Sequence, residues 1–123
     1  MGNAGYKIKG GEATLDASKE EVEPRDKNLT SIAFKNLDNA RIRRLTLNRN
    51  QLTSLPVEIG RLTGLKWLDL RGNQLTSLPV EIGRLTGLKK LDLYGNPLTT
   101  PPMEVCEKGI TAIRAYFPEP LSY

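Results

Sequence analysis

The sequence predicts an α/β fold of stacked coils, a solenoid with a short curved parallel sheet on its concave side and irregular or helical turns on its convex side. Two observations carry this. The block Gln51 to Lys66, QLTSLPVEIGRLTGLK, recurs letter for letter from Gln74 to Lys89, an offset of 23 residues. Self-similarity at such a period marks repeat architectures. The apolar spacing also changes inside each copy. Leu45-Thr46-Leu47 alternates with period two, as a strand with one buried face does. Leu55-Pro56 followed by Ile59-Gly60 and Leu62 suits a turn back along the other side.

The elements follow in order. Residues 1–11 are glycine-rich and are expected to form a flexible segment. Residues 12–41 form a degenerate N-terminal cap or repeat. Sliding the frame back aligns Leu29 with Leu52, Ile32 with Leu55 and Ile42 with Leu65, while Asn36 and Asn39 fall where Ile59 and Leu62 stood. The first strand lies near Val22, where the strict frame puts it, or near Leu15 with an insertion following; the frame favours Val22. Residues 42–100 hold the repeats, in units that start at Ile42, Leu65 and Leu88. Asn50, Asn73 and Asn96 mark the bends after the strands, where an inward amide can bond backbone groups that the turn leaves unpaired. No coil encloses its own leucines, so neighbours must stack. Residues 101–123 form a C-terminal helical cap and tail. Proline at 101 and 102 suits a helix start, Gly109 breaks it, and Ile110, Ala112, Ile113, Tyr116 and Phe117 recur at helical spacing.

Leu65-Lys66-Trp67-Leu68-Asp69-Leu70-Arg71-Gly72-Asn73-Gln74-Leu75 resembles the leucine-rich-repeat pattern L-x-x-L-x-L-x-x-N-x-L. With the added L-P-x-x-I-G-x-L segment it is similar to the 23-residue intracellular class, related to plant Ras-group repeat proteins and animal scaffolds. The resemblance covers Ile42 to about Phe117. It implies a curved solenoid used for protein recognition.

Composition narrows the function. No apolar run approaches the roughly 18 residues that suggest a membrane span, and Met1 through Gly11 lacks a secretory apolar core. A cytoplasmic location is expected, with membrane association through the N-terminus as an addition. The Asn28-Leu29-Thr30 triplet matches a glycosylation acceptor but lacks a secretory context. The single cysteine, Cys106, has no partner in the chain and reads as an inert core thiol. Histidine, the commonest general base and transition-metal ligand, is absent. Gly10-Gly11 falls far short of a phosphate loop. Asp69 and Asp92, one repeat apart, should be neighbours on adjacent strands about 4.8 Å apart. Such a pair could bind a cation or do acid/base work, but an open wall lacks the enclosure of an active site. The other reading pairs them with nearby Arg or Lys for about 0–1 kcal/mol each. No enzymatic activity, cofactor or metal is expected.

The two best copies diverge at the strands' outward positions, which a partner is free to shape. Across three strands these form the columns Arg43, Lys66, Lys89; Arg44, Trp67, Lys90; Thr46, Asp69, Asp92; Asn48, Arg71, Tyr94; and Arg49, Gly72, Gly95. Seven basic residues against two acidic ones make this face as a whole basic. Aromatic and arginine anchors usually carry interface energy, so Arg44, Arg49, Trp67, Asp69, Arg71, Lys90, Asp92 and Tyr94 are the candidate partner-binding residues. The alternative for Trp67 is a covering role over the stems of Arg44 and Lys90. Glu58 with Arg61 and Glu81 with Arg84 read as solvated surface pairs.

The expected function is a non-catalytic adaptor or regulatory scaffold, monomeric, that binds a protein on its concave face. The alternative is electrostatic binding to an anionic membrane surface or nucleic acid, the latter disfavoured by Asp69 and Asp92. Met1-Gly2-Asn3-Ala4-Gly5 also resembles an N-myristoylation signal, with Gly2 as acceptor, although Tyr6 stands where Ser or Thr is expected.

Overall fold

The computed structural model describes residues 4–117. The chain opens with a hairpin, β1 (Tyr6–Lys9) and β2 (Glu12–Asp16), joined at Gly10-Gly11 with Lys9 opposite Glu12. It then runs through β3 (Glu21–Val22), β4 (Ser31–Lys35), β5 (Arg44–Thr46), β6 (Trp67–Asp69) and β7 (Lys90–Asp92). Two short helices follow, α1 (Met103–Cys106) and α2 (Ile110–Tyr116).

Two sheets result. Strands β3-β5-β6-β7 form a parallel sheet in that order, and β1-β2-β4 form a second, with β1 antiparallel to β2 and β2 parallel to β4. In the four-stranded sheet the repeat period sets the register. Val22 sits opposite Leu45, Leu45 opposite Leu68, and Leu68 opposite Leu91. The first strand of this sheet is thus at Val22. Leu15 is in a strand too, but β2 belongs to the other sheet.

Between the strands the chain returns through 3-10 turns, Val57–Arg61 and Val80–Arg84, each entered from an extended proline. Leu45, Leu47, Leu52, Ile59 and Leu62 and their counterparts Leu68, Leu70, Leu75, Ile82 and Leu85 are all buried. One fully buried leucine is worth roughly 2–3 kcal/mol, so the core is a ladder shared between coils.

The asparagines fasten one coil to the previous one. The Asn73 side-chain amide donates to the Leu47 and Leu70 carbonyls, both at 3.0 Å, while its oxygen accepts the Leu52 N–H at 3.0 Å. Asn50 donates to the carbonyls of Pro24 and Leu47 and accepts from Lys27 and Leu29. Asn96 repeats the pattern with Leu70, Leu93 and Leu75. The first coil has Lys27 where an asparagine would stand, so Asn50 serves its bend.

Two expectations change here. The segment 1–11 is not an unpaired arm from Tyr6 onward, because alternation around Gly10-Gly11 builds β1 against β2. A two-glycine loop suits a tight hairpin turn, and Gly10 takes a φ of 63° there. The second concerns the degenerate coil, whose return path is strand β4 followed by a 3-10 turn, Leu37–Asn39. Asn36 and Asn39 are exposed, and Phe34 and Leu37 pack against the core in their place.

At the far end α1 follows Pro101-Pro102 and buries Cys106. Gly109, with φ at 95°, separates it from α2, which buries Ile113 and packs on the Val80–Arg84 turn. Tyr116 stays exposed, its ring edge-on to Phe117 at 5.7 Å.

One buried carboxylate ties the second sheet to the first coil. Asp16 accepts hydrogen bonds from the Ser18 hydroxyl (2.6 Å), the Ser18 N–H (3.0 Å) and the Asn36 amide (2.9 Å). The Ser18 hydroxyl first, then Asn36, lower its pKa to about 2, below the ordinary 3.8. A folded pKa below the unfolded one stabilises at higher pH. This contribution should therefore be fully present above pH 4 and vanish as pH falls towards 2, a loss of about 1–2 kcal/mol. Urea titrations of the wild type and Asp16→Asn across that range should show a shallower acid decline in the variant.

Candidate functional site

The outward side chains of β3, β5, β6 and β7 form one continuous face. Arg44, Trp67, Asp69, Arg71, Lys90 and Asp92 come together around a shallow cleft of about 340 Å³. Arg44 and Trp67 are register partners, as are Trp67 and Lys90. The Arg44 guanidinium lies over the indole, 4.8 Å from the ring centroid. Trp67 is therefore half-buried rather than fully exposed, and the covering role is realised by cation–π stacking while part of the ring stays accessible.

Asp69 and Asp92 are register partners, as their spacing predicted. Arg71 sits between them: its Nη2 donates to Asp69 Oδ2 at 2.7 Å and its Nε lies 3.4 Å from Asp92 Oδ2. Burial pushes the Asp69 carboxyl up, but hydrogen bonds from Arg71 and its charge outweigh that and hold the pKa below the ordinary value. A general acid at neutral pH needs the opposite shift. The guanidinium fills the place between the carboxylates that a cation would take, and the pair reads as a fixed charge triad.

The remaining candidates separate into two kinds. Tyr94 is 77% exposed and lines a second hollow with Asn48, Arg49, Arg71 and two glycines. Arg49 is engaged by Asp26 at 2.7 Å and has a left-handed backbone, φ 58°. Its column companions Gly72 and Gly95 share that conformation at φ 70° and 80°. Backbone geometry favours glycine there, so divergence at this column has a structural cause. Thr46 and Asn48 share the face but are buried between longer neighbours.

Two features escaped the sequence reading. The strand expected near Val22 adds acids to the face: Glu21 in β3 and Glu20 and Glu23 on either side of the strand are exposed, with Asp26 in the following turn. The 23-residue frame, carried one coil back, places Glu21 beside Arg44, as observed. Arg61 pairs with Asp38 at 3.0 Å, not with Glu58, because β4 and its 3-10 turn bring Asp38 alongside. Cys106 is buried as expected, and burial raises its thiol pKa. Among the described residues no helix is long and apolar enough to cross a membrane. Gly2 lies outside the described residues.

These coils, joined by a parallel sheet and clipped by asparagines, define a repeat protein with an open side-chain face. Residues 40–98 match the leucine rich repeat family model, and this segment of the chain is built of leucine-rich repeats. A solved leucine-rich-repeat protein of Leptospira interrogans is similar, with a TM-score of 0.53 and 34% identity over 65% of this chain. This chain covers 23% of that one, so it spans less than a quarter of its length. Comparison with curated proteins finds no match. Leucine-rich repeats generally mediate protein–protein interaction and typically form a non-enzymatic fold.

Proposed function

We propose that this chain is a non-catalytic solenoid module that binds a protein partner on the concave face of its parallel sheet. One observation carries the reading. Two coils identical in their return segments differ along this face, where Trp67 and Arg71 line a shallow cleft and Arg71 and Tyr94 line the hollow next to it. A half-accessible indole beside arginine and an exposed tyrosine is the composition of interface hot spots. The Arg71 triad orients the middle of the face without using up its rim.

Affinity capture should retain a specific partner with the wild type and lose it with Trp67→Ala. Val57, 55% exposed on a return turn, supplies the control: Val57→Ser should capture normally. An unchanged partner list with Trp67→Ala would place the interaction elsewhere. The same experiment run on the natively processed chain reads the mass of the N-terminal peptide, and so tests acylation of Gly2 and with it membrane association.

A further inference from the structure

In the two columns of the sheet face around Trp67 the charges are sorted by strand. Arg43, Arg44, Lys66, Lys89 and Lys90 lie in two adjoining columns on β5, β6 and β7 and the residues that lead into them, around Trp67. None of the five is in an ion pair among the described residues, whereas Arg41, Arg49, Arg61 and Arg71 all are. Beside them lie Glu21 in β3 and Glu23 just after it, likewise without ion pairs among the described residues, and Glu20 leads in. Glu21 is the register partner of Arg44, yet the guanidinium leans the other way, over Trp67. Opposite charges lie one strand apart and leave each other unpaired.

We propose that the face takes a bipolar protein segment, acidic where it crosses β5 to β7 and basic where it reaches β3. This rests on the reading of the sheet face as the interaction surface and specifies its partner. Two interstrand steps of about 4.8 Å separate β5 from β7, about two turns of a helix at 1.5 Å per residue. One step further lies the acidic strand, within reach of the next helical turn. An apolar residue between the blocks would meet the indole. Carboxylates bound the cationic patch on two sides, Glu21 and Glu23 at β3 and just beyond it, and Asp69 and Asp92 below. A phosphate backbone or an anionic membrane plane would have to lie against those carboxylates; a short mixed-charge segment matches both signs. Complementarity of this kind fixes register and rejects wrong partners.

Three fluorescein-labelled helical peptides of about 14 residues test this on the full chain: one with a glutamate block and a lysine block flanking leucine, one of the same composition with alternating charges, and one all-glutamate. The block peptide should bind at least about tenfold more tightly than the alternating one. Arg44→Glu with Lys90→Glu should remove most of that advantage. Glu21→Lys with Glu23→Lys should weaken the block peptide and strengthen the all-glutamate peptide. All four positions are exposed, and circular dichroism checks that the variants fold. Equal affinity for block and alternating peptides would overturn the proposal, as would indifference to the β3 reversal. Preferential binding to phosphatidylserine vesicles or to single-stranded DNA would do the same. If Trp67→Ala abolishes partner capture while the charge reversals leave it unchanged, the face stands as the interaction surface and the bipolar assignment alone falls.

Discussion

Asn73→Ala is expected to destabilise the protein by about 3 kcal/mol, a large part of the 5–15 kcal/mol typical of a domain. The amide is 1% exposed and touches two coils. Its oxygen is the acceptor for the Leu52 N–H, and alanine leaves that donor buried, at a cost of about 1–3 kcal/mol. The two carbonyls suffer less. Leu47 keeps the bond from Asn50 at 2.9 Å and Leu70 keeps that from Asn96 at 2.9 Å, so each loses only one of two donors. Asn96→Ala should cost less, about 1–2 kcal/mol, because Asn96 is only half-buried. Urea unfolding of the two variants, with the slope against denaturant unchanged, reads the difference. A loss below about 1 kcal/mol for Asn73→Ala would mean that water or a neighbour replaces the amide and that the asparagine is not the clip between coils.

The coils were legible because their cause is periodic. Leucines that share an interior must recur at the coil length, so the 23-residue spacing that identifies them also sets the register of Leu45, Leu68 and Leu91. The asparagine positions were legible too, but not that each amide reaches into the preceding coil. That depends on stacking distance, which the pattern of one coil does not encode. The hairpin β1-β2 was hidden for another reason. Its signal, alternation around Gly10-Gly11, is local and non-repeating, and glycine content was read as freedom when here it closes a turn.

The candidate face was legible in part. Strand alternation places Arg44, Trp67, Asp69, Lys90 and Asp92 on one side, and the structure puts all of them around one cleft. What pairs with what was not. Arg71 reaches across to two carboxylates and Arg49 to Asp26, choices made by side-chain length and turn conformation. The larger omission was electrostatic. Counting three strands gives a basic face; carrying the 23-residue frame one coil back sets the acidic Glu21 beside Arg44, as the register shows, so the two signs share one surface.

Gly60→Ala should cost about 2–3 kcal/mol, whereas Gly64→Ala should be neutral or stabilise by up to about 1 kcal/mol. Both glycines belong to the segment copied without change, so repetition alone treats them alike. The structure separates them by what a methyl group would meet. At Gly60 it would come within 2.8 Å of the Glu81 carbonyl oxygen and 2.9 Å of Glu81 Cβ on the next return turn. Those contacts are largely backbone, so relief requires the Val57–Arg61 and Val80–Arg84 turns to move apart, loosening Ile59 and Ile82 beneath them. At Gly64 the nearest atom, the Ile42 carbonyl oxygen, is 3.9 Å away and φ is not in the left-handed region. Alanine there restricts the unfolded chain without straining the folded one. Unfolding midpoints of the two variants should move in opposite directions or differ by at least about 2 kcal/mol. Equal shifts would mean that the return turns are not held at contact distance, and that the spacing between coils is set by the parallel sheet alone.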